Sequence, residues 1–304
     1  FTFASFKLIP SFQSIFSSLA QIKAYSASFD KIKNDLMSFE YDIKLNDISK
    51  HQNLNLENIK NLELKDVSFS YPNANLPSVE FLELKIPMKS KIAIAGESGS
   101  GKTTLINILT GLVKLKKGDI FVGTKKLNNK LFQEFQNKIG LVPQNIFLFD
   151  DTILNNILVG QANDKIDIKN IEKVLKICDL DQLISTLPNG VNTRIGEKGV
   201  NLSGGQKQKI GIARCIYLNK EIIIFDEATS SMDAISENKI INNIIENDQN
   251  KTIVLISHNY STFKNFDHIV FFENGKINEI GTYDNLIKNN LKFRNLANEK
   301  KNNE

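Results

Sequence analysis

Apolar residues at Phe12, Ile15, Leu19 and Ile22 step by three and four, and Phe29 and Leu36 continue the same stripe. That spacing predicts an amphipathic helix with one apolar face over residues 1–40. Its other face is Ser-rich and carries Lys7, Gln13, Gln21 and Lys23, and Pro10 should begin or kink it. A polar stretch across 41–61 then breaks the periodicity and predicts a linker.

From residue 62 the pattern changes. Residues 62–71 and 79–86 alternate as strands, and 91–95 is a short apolar run entering a Gly-rich turn. A helix is expected over 102–112 and a short strand over 120–122. Residues 152–217 are mostly helical by periodicity, with breaks at Pro188 and Gly190 and at Gly204 and Gly205. The continuous apolar runs 222–225 and 252–256 suit buried parallel strands. Residues 269–273 and 276–280 flank Asn274 and Gly275, a hairpin signal. Together these elements predict an α/β domain over 62–297, and the tail 298–304 should fray.

Composition adds bounds rather than a function. A chain of 304 residues, 41% of them hydrophobic, can bury one large core or two modest ones. A net charge of +4 from 38 basic and 34 acidic residues gives no sign of a nucleic-acid partner. Cys178 and Cys215 lie far apart in apolar surroundings, so two buried, reduced thiols of a cytosolic compartment are expected. No signal peptide is read at the start, and no apolar run reaches the roughly 18 residues that a membrane span needs. A start at Phe1 rather than Met suggests a segment of a longer chain.

The first chemical signal lies at Gly96, Glu97, Ser98, Gly99, Ser100, Gly101, Lys102 and Thr103, followed by Thr104. This is the spacing G-x-x-x-x-G-K-[ST], between an apolar strand and a helix. Glycines let the backbone wrap closely around phosphate oxygens, with amides pointing inward at a helix N-terminus whose dipole favours anions. Lys102 would reach the β- and γ-phosphates, and the Thr103 hydroxyl would ligate Mg²⁺.

A second signal closes the strand at 222–225, where Asp226 and Glu227 stand side by side. Beside a phosphate loop, Asp226 would place its charge near Mg²⁺, and Glu227 could face the γ-phosphate and polarise a water. His258 ends a third strand and suits a γ-phosphate sensor at the same sheet edge. His51 and His268 lack such a setting and are read as surface or packing residues.

The third signal is Leu202-Ser203-Gly204-Gly205-Gln206, a second Gly-rich anion site opening a helix. One nucleotide needs one phosphate loop, so a second surface makes sense if it closes over another copy's nucleotide. With these residues the chain resembles the nucleotide-binding domain of ABC transporters, from about residue 61 to 290. The resemblance implies a P-loop NTPase core with an antiparallel β subdomain and an inserted α-helical signature subdomain, using ATP and Mg²⁺. It implies that Tyr71 stacks on adenine, and that Gln144, in Val142-Pro143-Gln144, contacts Mg²⁺ and the attacking water and couples to a membrane domain. Ser203, Gly204, Gly205 and Gln206 would face the partner's ATP in a head-to-tail homodimer. Ser230, Ser231, Met232 and Asp233 would contact the opposite subunit, and His258 would be the switch histidine.

Thr193-Arg194-Ile195-Gly196-Glu197-Lys198-Gly199 resembles the segment typical of exporters, which usually carry both domains on one chain at the cytoplasmic face of the membrane. The first helix, 1–40, would then be the cytoplasmic end of the last transmembrane helix or a coupling helix, and Phe6-Lys7-Leu8-Ile9-Pro10-Ser11 resembles that stretch of lipid-linked oligosaccharide flippases. An amphipathic linker and a lipid-binding surface helix are the alternatives. Cargo stays open among glycolipid, lipid, peptide and drug. The rivals are a soluble ABC-type ATPase of DNA repair or translation, and a regulatory cassette that binds ATP without hydrolysis. Three departures from the family pattern occur: Met232 stands where Leu is usual, and Gly211 and Cys215 where Ala is common. Gly211 should cost its helix roughly 1 kcal/mol relative to Ala.

Overall fold

In the computed structural model, residues 2–45, 54, 56, 59–72, 74, 76–160, 166–196 and 202–301 are described. The chain divides into two units, Phe1–Gln52 and Asn53–Glu304. The first is one helix, α1 (Thr2–Leu45), which starts at Thr2 and runs through Pro10 rather than beginning at it. The expected stripe from Phe12 to Leu36 is exposed, but Phe3, Phe6, Ile9, Phe16, Tyr25 and Ile32 are exposed too, at other angles around the axis. In place of one apolar face, the helix is apolar on most sides. A seven-residue step through Leu8, Ile15, Ile22, Phe29 and Leu36 explains part of this, since it drifts by about 20° per heptad on a straight helix. Among the described residues no helix is long and apolar enough to cross a membrane.

The linker expected over 41–61 needs correction at both ends. Residues up to Leu45 continue α1, and Leu54 and Leu56 are buried in the core of the second unit. The Leu54 N–H donates to Glu134 Oε2 at 3.1 Å. Two leucines two apart are a signal too short to stand out among Asn and Lys. Residues 46–53, with His51, lie outside the described residues.

The second unit opens with β1 (Asn61–Phe69), β2 (Val79–Pro87), β3 (Lys91–Ala95) and α2 (Lys102–Leu109). Next come β4 (Lys117–Val122), β5 (Lys125–Lys126), α3 (Asn129–Gln136) and β6 (Ile139–Val142). A helical stretch holds α4 (Ile153–Ile157), α5 (Ile168–Ile177), α6 (Asp181–Thr186) and α7 (Gly204–Tyr217). The chain then returns to the sheet with β7 (Ile222–Asp226), α8 (Ala234–Asn247), β8 (Thr252–Ile256), β9 (His268–Glu273) and β10 (Lys276–Gly281). It closes with α9 (Tyr283–Asn289) and α10 (Leu291–Lys301). The fraying expected from 298 therefore does not begin there, because 298–301 continue α10; residues 302–304 lie outside the described residues.

Four strands form an antiparallel sheet in the order β2-β1-β4-β5, and six form a second sheet in the order β10-β9-β3-β8-β7-β6. In the second sheet β9, β3, β8, β7 and β6 run parallel, and β10 joins as the antiparallel arm of the expected hairpin. Its two faces enter two cores with strict period two. Ala93, Ala95, Ile223, Phe225, Ile253 and Leu255 pack toward α4–α8. Ile92, Ile94, Ile222, Ile224, Val254 and Ile256 pack toward α2 and the antiparallel sheet. Both faces are covered, so these strands read as unbroken apolar runs in the sequence.

The family departures at Gly211 and Cys215 acquire a packing reason. A Cβ on Gly211 would stand 2.5, 2.8 and 2.9 Å from three side-chain atoms of Ile146. A Cβ on Gly140 would stand 2.4 Å from Cys215 Sγ. Each glycine thus makes room for a side chain from across the interface. Burial pushes the Cys215 thiol up to about 12 and raises that of Cys178 as well, so both stay protonated and unreactive.

Gly211→Ala should therefore fail to deliver its helix gain of about 1 kcal/mol. Overpacking against Ile146 costs about 1–3 kcal/mol, so a net loss is expected in urea unfolding. The loss should shrink in an Ile146→Ala background, where the clash is gone.

Candidate active site

The register of the parallel strands decides what meets at their C-terminal ends. Ile94 pairs with Ile256, and Ile256 pairs with Asp226. Val142 pairs with Phe225. The residues that follow are the phosphate loop after β3, Glu227 after β7, His258 just beyond β8 and Gln144 just beyond β6. The structure thus gathers four separate sequence signals along one sheet edge.

In the loop, Gly96, Gly99 and Gly101 hold φ of 149°, 78° and 107°, all in the region that side chains avoid. A Cβ on Gly96 would stand 2.3 Å from the Phe272 carbonyl oxygen, so that position also needs the close approach. Gly101 is the N-cap of α2 and supplies no side-chain cap, leaving the first-turn amides to an incoming anion. Buried Lys102 folds across the loop, its Nζ donating to the carbonyls of Gly96 at 2.9 Å and Glu97 at 2.6 Å. A cleft of about 550 Å³ opens here, lined by Ser98, Gly99, Gly101, Lys102, Thr103, Thr104 and Glu227 from the expected site, with Asn274 and Gly275 of the hairpin. Its size suits a nucleotide. Ser100 Oγ is buried beside the loop with no hydrogen-bond partner among the described residues.

Asp226 is the electrostatic outlier. Burial first, and then repulsion from Glu227, holds its carboxyl above the usual range, against the attraction of Lys102 and a hydrogen bond with Thr103. Its Oδ1 is buried with no hydrogen-bond partner among the described residues. A half-desolvated carboxylate with an orphaned oxygen, touching the Thr103 hydroxyl, is an oxygen donor set that fits Mg²⁺.

Glu227 sits one residue on, with φ of 52°. A left-handed conformation at a non-glycine residue is strained, and strain of this kind concentrates where geometry serves a function. Its carboxylate is gripped from two sides. Gln144 Nε2 donates to Oε2 at 2.8 Å, and His258 Nε2 lies 3.0 Å from Oε1. Gln144 and His258, from the strand ends on either side, therefore share the carboxylate of Glu227.

Other expected residues are placed elsewhere. Tyr71 packs edge-on to Phe69 with ring centres 4.9 Å apart, and its hydroxyl accepts from Asn107 Nδ2 on α2 at 3.1 Å. No residue of 202–206 lines the cleft. Ser203 instead caps α7: its Oγ accepts from the Gln206 N–H at 3.2 Å, and Gln206 Oε1 accepts from the Ser203 N–H at 2.9 Å. That capping box is a structural role the motif reading did not include. Gly204 and Gly205 lie where Cβ atoms would stand 3.1 Å from Ser231 Cβ and 3.2 Å from its carbonyl oxygen, so the glycines also let 231–232 approach. Asp233 caps α8 through the Ser236 N–H at 2.9 Å. In the exporter-like segment, Thr193–Ile195 pair with 151–153, with Thr152 bridging Arg194, while Glu197, Lys198 and Gly199 lie outside the described residues.

Sequence reasoning missed three residues that shape this edge. Tyr260 is buried, and its hydroxyl accepts from the Gly96 N–H at 3.2 Å; burial holds that phenol at about 12. Gln208 on α7 is buried, donates to Ser230 Oγ at 3.2 Å and accepts from the Ser231 N–H at 2.9 Å. Glu237 on α8 is buried between Thr229 and Ser257. The only signal for Glu237 is a carboxylate on the apolar face of a helix with Ile240, Ile241 and Ile244, which is easily taken for surface.

Comparison with known proteins points one way. The ABC transporter family profile matches residues 79–230. The ATP-dependent lipid A-core flippase of Wigglesworthia glossinidia brevipalpis is 40% identical over 228 residues, covering 75% of this chain and 39% of that protein. The Escherichia coli (strain K12) protein of the same name is 37% identical over 227 residues, with the same coverage. The Vibrio vulnificus (strain CMCP6) one is 31% identical over 281 residues, covering 91% of this chain and 48% of its own. The chain thus spans less than half the length of these curated relatives. A bacterial Atm1-family ABC exporter solved with ATP bound matches with a TM-score of 0.75 and 26% identity, over 90% of this chain and 48% of that one.

Asp226→Asn tests the electrostatics directly. A carboxyl whose pKa is raised on folding costs stability when ionised, and the cost disappears as pH falls through the raised value. The variant should melt at a higher temperature than the wild type at neutral pH without nucleotide. The gap should close as pH falls into the carboxylate range.

Proposed function

This chain belongs to the ABC transporter family, and we propose that it is the ATP-binding and ATP-hydrolysing part of an exporter. The observation that carries the reading is the grip of Gln144 and His258 on Glu227, directly beside the phosphate loop. A carboxylate held by two polar neighbours at a strand end is oriented to take a proton from one water.

In this reading the amides of Gly99–Thr104 and Lys102 bind the ATP phosphates, and Tyr71 stacks on the adenine. Asp226, Thr103 and Gln144 would hold Mg²⁺, which when bound neutralises charge building on the phosphate oxygens. Glu227 accepts the proton of the attacking water, and His258 supports the γ-phosphate and fixes the orientation of Glu227.

The site is completed by a second copy bound head to tail. The signature residues lie off this chain's own cleft, which favours their use in trans. The Ser203 oxygen accepts within the capping box, so its proton remains available to a phosphate oxygen of the partner's ATP. Gly204 and Gly205 present their backbone at the α7 N-terminus, where the dipole favours an anion. Ser230, Ser231, Met232 and Asp233 meet the opposite copy.

The exposed apolar side chains of α1 favour its packing in a transmembrane domain of the same protein, with the ATPase unit at the cytoplasmic face. Helix α1 then forms the cytoplasmic end of the last transmembrane helix or a coupling helix, and the second unit is the ATPase. The relatives' names and the likeness at 6–11 support a lipid-linked saccharide as the cargo. A soluble ATPase of DNA repair or translation is not favoured, because relatives 31–40% identical carry the name lipid A-core flippase.

Glu227→Gln should leave ATP binding intact and lower turnover about 10²-fold or more. Wild-type turnover in this variant removes Glu227 from the base role. Lys102→Ala should weaken nucleotide binding itself, read by titration with a fluorescent ATP analogue; unchanged affinity would count against the phosphate-loop assignment. Cargo is tested by adding lipid-linked glycans to the ATPase assay and looking for stimulation.

A further inference from the structure

Glu227 and His258 sit at the ends of neighbouring strands, and the 3.0 Å between them depends on two separate turns. Both turns are fastened to one buried carboxylate that the mechanism above does not use. Glu237 lies in the first turn of α8 and is 4% exposed. Its Oε1 accepts from Thr229 Oγ1 at 2.5 Å and from Ser257 Oγ at 2.6 Å. Thr229 is two residues after Glu227, and Ser257 is the residue before His258. Ser257 Oγ also accepts from the Asn259 N–H at 2.9 Å, so the hydroxyl brackets His258 from both sides. Thr229 in turn accepts from the Met232 N–H through its carbonyl, while the Ser230 N–H donates to the Glu227 carbonyl at 3.1 Å.

The energetics favour a firm clamp. Thr229 is 1% exposed and Ser257 6%, so neither hydroxyl has ready access to solvent as an alternative partner. Hydrogen bonds in such a buried, low-dielectric site are stronger than exposed ones, and leaving either hydroxyl unpaired there is costly. The carboxylate also lies near the N-terminus of α8, where the helix dipole favours negative charge. The clamp has a lever as well. Glu237 donates its N–H to the carbonyl of Asp233, the N-cap of α8, at 3.0 Å. Asp233 ends the segment that meets the second copy in the proposed dimer.

We propose that Glu237 is a positioning residue that sets the separation of Glu227 and His258 and links it to the 230–233 segment. The inference rests on the base role given to Glu227 above. Docking of a second copy against 230–233 would move the first turn of α8, and Glu237 would carry that movement to both turns together. A group displaced by about 1 Å can cost 10²-fold in rate without loss of binding.

The experiment measures kcat and KM for ATP, and nucleotide affinity, on the full 304-residue chain. Glu237→Leu should lower kcat by about 10- to 100-fold, with KM and ATP affinity within about twofold of wild type. Glu237→Gln keeps an acceptor oxygen for both hydroxyls and should recover most of that loss. In a His258→Ala background, Glu237→Leu should add little further loss, since the pair it positions is already broken. Wild-type kcat in Glu237→Leu overturns the proposal, as do losses that multiply fully with His258→Ala. So does a fall in ATP affinity that matches the fall in kcat, which marks a merely structural role.

If Glu237→Leu does not fold, Thr229→Val and Ser257→Ala each remove one donor. Each should lower kcat by a smaller factor, and wild-type kcat in both overturns the proposal. Glu227→Gln, measured alongside, separates the two readings. Wild-type turnover in Glu227→Gln is failure of the base assignment. A normal loss there with an unaffected Glu237→Leu is failure of the positioning role alone.

Discussion

The hydrogen-bonded register of β3, β8, β7 and β6 is the constraint on which the rest depends. Shifting any one strand by a single residue would exchange the two cores, because its side chains alternate between them. The same shift would move a strand end by more than 3 Å relative to its neighbours. The contacts of Glu227 with Gln144 and His258, 2.8 and 3.0 Å long, would not survive that. Packing therefore fixes chemistry: the apolar runs that choose the register also choose which polar residues meet.

The sheet helps explain what could be read in the chain. Strands covered on both faces announce themselves as apolar runs, and the hairpin at Asn274 and Gly275 announces itself through two residues with positive φ. The phosphate loop was legible because its glycines and its lysine are chemically irreplaceable at their spacing. Asp226, Glu227 and His258 were legible only by their position after such strands. Leu54 and Leu56 were not, because two residues give too short a period to detect. Glu237 and Gln208 were hidden for another reason. Each satisfies a partner distant in sequence, and a buried polar side chain looks like a surface one until its partner is known. Ser203 and Gln206 show the opposite case, where a motif with one assigned role also performs another, closing the cap of the helix it opens.

The interior adjusts in pairs rather than by single residues. Gly211 gives its space to Ile146, and Gly140 gives its space to Cys215. Both pairs join α7 to the segment around β6 that carries Gln144. Arg214, further along α7, donates to the carbonyls of Asn156 at 2.9 Å and Phe147 at 3.1 Å. The helix that opens with the signature is thereby fastened to the loop that reaches Glu227, and a volume change at either place is felt at the other.

The first unit bears on how this protein can be handled. Helix α1 exposes large apolar side chains from Phe3 to Met37 on most of its circumference. A polypeptide that includes it will partition into detergent micelles or self-associate in plain buffer. One that opens at Asn53 keeps Leu54 and Leu56 in the ATPase core and leaves that surface behind. The few residues between Leu45 and Leu54 thus divide a detergent-dependent sample from one suited to aqueous crystallisation or solution NMR.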